Sequence, residues 1–461
     1  MQAPADPHRT DRVGLGPPVS LLERATRIPL PLLLLALQLP LILNPGYFSH
    51  DELQWWSRAD VSSWSDLPWV PWLDTTPLQY RPLTFNLWLV LAHAFAATPR
   101  LLHFVFVALG TINASLLARV LADARVPART CYAAAIVFAL SLCVVYVHGW
   151  AGTLADLLTL SFLLLAARLV QRGTTRGAVG AACLVAFALL SKESAVVLPA
   201  LLAFSAYGQS SRRSAGIAVA LSAAFVVAYL AIRLPILADS ASADAAYAWS
   251  LRNVPTRAAE YLLYPFTPPL FEIASLLRAS FARLAASTAC VALLLFALAT
   301  RNPRWPVAWL GAFLAALAPV LVLPIAYDQY AYLASALGVA IAAAAWPELR
   351  RAPRAILAIL AAIVVAHGAA VMWRMLAAGI VERNLHADLL DVVRGDPASP
   401  IVVTAADPRD AWLLQRLLHD VDRYRGVSLL NVRAAESGES APGTRRLRMN
   451  RDGHLAAISG P

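Results

Sequence analysis

The residues of this chain that could do chemistry are few, and long apolar stretches separate them. Asp51 and Glu52 are adjacent carboxylates in the segment SHDEL. A carboxylate set against a hydroxyl can take its proton as a general base, and a like-charged neighbour raises one pKa of such a pair. The same two residues could equally be a solvated loop pair, or the first turn of a helix capped by Ser49. Lys192 is the only lysine in a chain otherwise served by arginine, and it stands with Glu193 between two apolar runs. An ammonium there suits a phosphate as a compact point charge; the plainer reading is an interfacial lysine paired with Glu193 or Asp156. Arg81, between Tyr80 and Pro82, could grip a phosphate through two parallel bonds or simply anchor a lipid headgroup. His148, Asp156, Asp328, Tyr330 and Tyr332 complete the set. No HxxxH or carboxylate–histidine spacing marks a metal cage. Asp51, Glu52 and Asp156, with His148, could still meet in space around a divalent Mg or Mn ion.

The elements that must position these residues are membrane helices. The chain has 461 residues, 59% apolar and only 14% charged, with a mean hydropathy of +0.60. A soluble domain carries nearer about a quarter charged residues. The apolar residues fall in blocks of about 16–22, long enough to cross a bilayer as helices. In lipid the backbone must satisfy its own hydrogen bonds, so helices are the expected form. Spans are expected at about 28–44, 101–121, 130–148, 153–170, 177–191, 194–208, 215–236, 284–300, 306–323, 330–346 and 355–374. Residues 1–27 read as a polar, basic tail, and the run from Ile28 as an uncleaved signal anchor. Cys131, Cys143, Cys183 and Cys290 lie in apolar runs without CxxC spacing, and read as small core residues.

The net charge of +10 is spread over many short loops, which argues against nucleic acid and instead reports topology. Arginines collect in the N-terminal tail (Arg9, Arg12, Arg24, Arg27) and then in every second connection: Arg119, Arg125 and Arg129; Arg168, Arg172 and Arg176; Arg212 and Arg213; Arg301 and Arg304; Arg350, Arg351 and Arg354. The positive-inside rule then places the N-terminus in the cytoplasm and the C-terminal tail outside. On that topology every candidate residue falls at the outer face. Charge deeper in the bilayer costs roughly 2.5–3.5 kcal/mol on insertion scales, so retained charge usually has a role.

Two long segments lie on the same side. The first, 45–100, holds Trp55, Trp56, Trp64, Trp69, Trp72 and Trp88 and reads as interfacial helices. Its apolar stretch 83–97 is expected to be re-entrant or interfacial, although it could be a twelfth span. The second, 237–283, carries Trp249, Tyr261, Tyr264 and YPFTPP. The membrane domain is therefore 28–376. The charged segment 377–461 reads as a small extracytoplasmic α/β domain: a strand at IVVTA (401–405), a helix over 408–424 opened by Asp407, a strand at 427–432 and two strands around 450–453. No internal repeat is visible.

The order of these pieces resembles the multi-spanning GT-C class of glycosyltransferases, especially bacterial proteins akin to the membrane half of the transmembrane-and-tetratricopeptide O-mannosyltransferases. The matching segments are SHDELQWW, QYRPLTFNLW, VHGWAGTLADLLTLSFLLLA, LLSKESAVVLPALL and AYDQYAYLASALG, in that order from about Leu32 to Ala345. The resemblance implies an inner-membrane enzyme of the cell envelope that transfers a hexose, mannose in the namesake proteins, from a polyprenyl-phosphate donor. Its site would face the periplasm or exterior. The family's first-loop acid falls on Asp51, with Glu52 beside it. Arg81 and Lys192 would contact the donor phosphate, with Tyr330. Tyr80, His148, Asp156, Glu193 and Asp328 would support them. Gln329 stands where an arginine is common in the family, which weakens a phosphate role for that motif, and the tetratricopeptide tail is absent. The acceptor, whether protein, glycan or lipid, is not implied.

Other classes fit parts of the pattern. A lipid or polysaccharide transporter or flippase would place its ionisable groups nearer the midplane. A non-catalytic scaffold would not need both the acid and the cations. An O-antigen ligase or polymerase would use a large outer loop with arginines, a role open to Arg252 and Arg257.

Overall fold

Apolar runs opened by proline and broken by polar turns produce the helices of this chain, and the breaks decide where the polar residues meet. The structure is a computed structural model that describes residues 29–60, 63–206, 212–239, 245–268, 270–435 and 444–458. The expected N-terminal tail and its four arginines lie outside the described residues. Among the described residues, seven helices are long and apolar enough to cross a membrane, or eight if one bent pair counts as a span.

The first expected span is broken. Helix α1 (Leu30–Leu37) stops at Gln38, and α2 (Leu39–Ile42) restarts with a proline in its first turn. Pro40 has no N–H to continue the ladder, so the chain must re-enter helix there. Helix α3 (His50–Ala59) opens the Trp-rich segment 45–100, and Ser49 with Glu52 forms a reciprocal capping box at its start. Helix α4 (Pro82–Phe95) is the expected short apolar helix of that segment. The long α5 (Pro99–Asp123) follows, opened like α4 by a proline in its first turn.

The third expected span is a bent pair, α6 (Ala128–Leu140) and α7 (Leu142–Gly149), with 63° between them. Ser141 takes an extended ψ of 148°, and its hydroxyl donates to the Phe138 carbonyl at 2.9 Å. Helix α8 (Leu154–Gln171), α9 (Thr175–Leu189), α10 (Leu198–Ala206) and α11 (Arg212–Ala238) come next. The fifth expected span lies two residues earlier than foreseen, and the sixth starts later, at Leu198. The chain leaves helix at Ser191–Lys192 and resumes as one 3-10 turn, Glu193–Val197. A short helix α12 (Val254–Leu263) lies in the segment 237–283, before α13 (Phe281–Ala299), α14 (Arg304–Leu321) and α15 (Tyr332–Ala345).

The last helix overturns the expected end at 374. Helix α16 (Arg351–Gly395) is continuous for 45 residues and runs through the anticipated domain boundary at 376–377. Beyond that point Leu385, Leu389 and Val393 keep a buried stripe at helical spacing, so packing against the tail domain sustains the helix.

The tail is a small sheet with one helix. Strand β1 (Ile401–Ala405) lies between β4 (Val432–Ala434) and β5 (Arg445–Met449), parallel to both, while β6 (Leu455–Ala457) runs antiparallel to β5. Ile401, Val402 and Val403 are all buried, as a central parallel strand covered on both faces requires. The expected helix over 408–424 is shorter: α17 (Ala411–Leu418) ends there, and Arg423–Tyr424 (β2) pairs with Val427–Ser428 (β3). Arg425 and Gly426 both have positive φ, 50° and 76°, the backbone a tight two-residue hairpin needs. Asp407 does cap the helical segment, accepting the Arg409 N–H at 3.0 Å. Of the four cysteines, Cys131 and Cys143 are buried as expected, but Cys183 is exposed on α9 and Cys290 is partly exposed on α13.

The turn that leads from α2 to α3 lies flush against α16. A Cβ on Gly46 would stand 2.1 Å from the Gly379 carbonyl oxygen, and one on Gly379 would stand 1.8 Å from Asn44 Oδ1. Neither backbone can retreat without unpacking the other. Gly379→Val is therefore expected to destabilise the protein by about 1–3 kcal/mol, the usual range for overpacking. A thermal melt of the purified protein in detergent checks this; an unchanged midpoint would refute the contact.

Candidate active site

The break after α9 places the only lysine inside the protein. Lys192 is 4% exposed, and its ammonium pairs with Asp156 in the first turn of α8. An ammonium without a counter-charge in such a place is destabilising by several kcal/mol, so the carboxylate is obligatory. The Tyr330 ring covers the other side, 4.8 Å from Nζ, where its π-face favours a cation. The next residue, Glu193, takes Arg81 from the start of α4: Nε donates at 2.8 Å and Nη2 stands at 2.8 Å from the same carboxylate oxygen. Five of the expected residues, Arg81, Asp156, Lys192, Glu193 and Tyr330, thus form one constellation.

That constellation closes one end of a cavity of about 310 Å³. Leu230, Leu234 and Leu237 of α11 and Val320 and Leu323 at the end of α14 give it apolar walls, while Arg81, Lys192, Glu193 and Tyr330 give it a polar head. Tyr80 stands just outside, its hydroxyl donating to the Trp72 carbonyl.

Arg233 is a residue the sequence reading missed. It is 1% exposed within α11, and its guanidinium donates to the carbonyls of Thr75, Pro77 and Leu78 while lying 5.5 Å from the Tyr80 ring centroid. It therefore clamps the Trp-rich segment over the cavity. The available signal was an arginine inside an otherwise apolar span, a position where charge is rarely kept idle.

The carboxylate pair Asp51–Glu52 divides. Glu52 is buried, and it accepts backbone N–H groups from Phe48 at 2.7 Å, Ser49 at 3.1 Å and Ala151 at 2.6 Å. It ties the start of α3 to the turn that opens α8, the helix bearing Asp156. Burial pushes the Glu52 carboxyl up to about 8 against the opposing pull of those three donors. Asp51 is the accessible member, with its side chain 38% exposed and 3.2 Å from His50 Nε2.

The tail domain reaches the same region. Arg416 of α17 donates to Ser49 Oγ at 3.1 Å, Glu272 Oε1 at 3.0 Å and the Tyr146 hydroxyl at 3.2 Å. Its guanidinium lies 4.5 Å from the Phe48 ring centroid and 5.4 Å from that of Trp150. No sequence spacing connects Arg416 to Asp51; only the docking of the tail does.

Two expectations are corrected. His148 is fully buried rather than interfacial, 2.6 Å from Gln38 Oε1 and 3.0 Å from the Tyr332 hydroxyl, and its ring lies where a Cβ on Gly110 would be. It bridges Gln38 at the end of α1 and Tyr332 at the start of α15. Asp328 is buried on the far side of its turn from Tyr330, with Oδ2 facing the Ile273 N–H at 3.4 Å. It does not join the Lys192 group. Among the described residues no three His, Cys, Asp or Glu side chains stand where they could hold a metal ion, and Asp51, Glu52 and Asp156 each serve a different partner. Arg257, in the segment 237–283, is paired with Glu260 at 2.8 Å.

Comparison with known proteins gives the chain no family: no family model, no curated protein and no solved structure matches it.

Two predictions follow from the Asp51 side of the site. The folded-state pKa of Glu52 lies above its ordinary 4.5, so the folded protein keeps a proton that the unfolded chain releases. Stability should fall as pH rises from about 4.5 to about 8, and Glu52→Gln should flatten that slope. Thermal midpoints across this range test it; identical slopes would exclude it. Arg416→Ala leaves buried Tyr146 and part-buried Glu272 without their cation, and should cost about 2–3 kcal/mol, in the range for a hydrogen-bonded charge. Faster limited proteolysis of the tail is the readout, and an unchanged rate would count against docking through Arg416.

Proposed function

We propose that this protein is a membrane glycosyltransferase that moves a sugar from a polyprenyl-phosphate donor to an acceptor hydroxyl on the outer face of the membrane. The observation that carries the proposal is the cavity with apolar walls and a head built from Lys192, Arg81 and Tyr330. Its chemistry matches an amphiphile with an anionic head. The lipid chain fits along Leu230, Leu234 and Leu323, and the phosphate fits against the two cations. Glu193 engages Nε and Nη2 of Arg81, which leaves Nη1 outside that pair.

The accessible Asp51 is the base in this reading, and Glu52 the residue that sets its helix. The acceptor oxygen attacks the anomeric carbon and forms the new C–O bond. The bond from that carbon to the phosphate oxygen breaks, and its electron pair leaves with the lipid phosphate. Asp51 takes the hydroxyl proton. A single displacement inverts the anomeric configuration. Lys192 and Arg81 stabilise charge on the leaving phosphate in a site of low dielectric, usually the largest catalytic contribution. No step in this scheme is routed through a metal ion.

Radiolabelled polyprenyl-phosphate sugars given to the purified protein test the scheme. Wild type should release sugar from at least one donor, while Asp51→Asn and Lys192→Ala should each lose about 100-fold or more in rate. Full activity in both variants, or release from no donor, would defeat the proposal. Movement of intact donor across a vesicle membrane would instead favour a flippase.

A further inference from the structure

We infer that the loop 68–73 is a lipid-binding wedge, inserted into a zwitterionic leaflet beside the cavity that Lys192 heads. This rests on α11 spanning the membrane and is independent of the transferase chemistry. The loop reads PWVPWL, with Asp66 before it and Asp74 after it. Prolines at 68 and 71 keep the stretch out of regular helix, and it folds as an irregular loop where an interfacial helix was expected. Trp69, Trp72 and Leu73 are 45%, 46% and 94% exposed, and Pro68 and Pro71 are exposed with them. Only Val70 packs back on the core.

This display is built, because polar bonds hold the backbone behind it. Asn86 of α4 uses both ends of its amide on Val70: Oδ1 accepts the Val70 N–H at 2.8 Å, and Nδ2 donates to the Val70 carbonyl at 2.9 Å. The Tyr80 hydroxyl donates to the Trp72 carbonyl. Asp74 closes the turn that follows, accepting the Thr76 N–H at 3.1 Å and its hydroxyl at 2.6 Å. A contiguous apolar surface fixed in this way marks a contact with lipid or with protein.

The level of the loop along α11 selects lipid. Helix α11 is a candidate span, apolar through its last turns, with Ile232 and Leu234 exposed. Arg233, between those two, donates to the carbonyls of Thr75, Pro77 and Leu78, and its guanidinium lies 5.5 Å from the ring of Tyr80, the residue bonded to Trp72. Side chains on a helix lean towards its N-terminus, so these contacts lie level with the apolar turns of α11 and not beyond them. Leu78 lines the cavity together with Leu230, Leu234 and Leu237, which fixes the same level. Indoles displayed there meet the boundary between headgroups and acyl chains, the depth tryptophan favours. The flanking aspartates keep the insertion shallow, since carboxylates are costly in hydrocarbon, and they disfavour an anionic leaflet.

The test uses full-length protein in phosphatidylcholine nanodiscs, with a nitroxide attached at Leu73→Cys or, separately, at Trp72→Cys. Cys183→Ala and Cys290→Ala remove the accessible native thiols, while Cys131 and Cys143 are buried. Collisions with oxygen, which concentrates in lipid, and with a water-soluble nickel chelate report the depth of each label. Val227→Cys, exposed on α11, gives the lipid reference, and Arg448→Cys, exposed on β5, gives the aqueous one. Both loop labels should match the oxygen-rich signature of Val227→Cys, at a depth of about 5–10 Å into the headgroup–acyl boundary, and lose nickel collisions several-fold relative to Arg448→Cys. Nickel collisions equal to those at Arg448→Cys, at either position, would put the loop in water. Few collisions with either reagent would mean that protein covers it. Each of these two results would overturn the inference. Leu73 is almost wholly exposed, so its replacement leaves packing intact, and Trp72→Cys supplies an independent reading.

Discussion

A buried ammonium cannot stand alone in an apolar surround, and this constraint on Lys192 organises one end of the helix bundle. The break after α9 carries the lysine inward, and Asp156 must come with it on α8. Tyr330 closes over the pair from the turn before α15. Glu193, the residue beside the lysine, then holds Arg81 and with it the start of α4. Two ion pairs on adjacent residues thus tie four separate segments, and the cavity lies beside them.

A second hub relays this order outwards. Glu52 accepts N–H groups on both sides of the chain, from the cap of α3 and from Ala151 before α8. That carboxylate links the helix of Asp51 to the turn that opens the helix of Asp156. Arg416 continues the relay, joining Ser49 of that same cap to Glu272 and Tyr146. The tail domain is therefore part of the wall around Asp51. The unbroken α16, which passes from the apolar bundle into the tail, keeps the two from moving independently.

The outcome is two chambers of opposite character. One has leucine and valine walls and a polar head in which Lys192 and Arg81 are each paired with a carboxylate; the other is polar and lies under α17. His50, which lines the second, stands 3.2 Å from Asp51. A reaction that joins an amphiphile to a hydrophilic partner needs such a division, because no single lining satisfies both.

Composition and periodicity alone determined that the chain is a set of apolar helices with a small α/β tail, because uninterrupted apolar runs and a β-branched strand such as IVVTA leave few other solutions. They also brought out Lys192 and Arg81, since rare charges among leucines are conspicuous. The interruptions were less legible. Pro40 breaks the first helix and Ser141 bends the third span, yet proline and serine also occur inside unbroken helices of this chain, such as Pro235 and Ser222 of α11. The partners were not legible at all. Glu52 rather than Asp51 is consumed by backbone donors, His148 is a brace, Arg233 clamps the Trp-rich segment and Arg416 reaches Ser49 across the fold. Each depends on which side chains a helix presents to neighbours distant in sequence, and that is settled only when the helices pack.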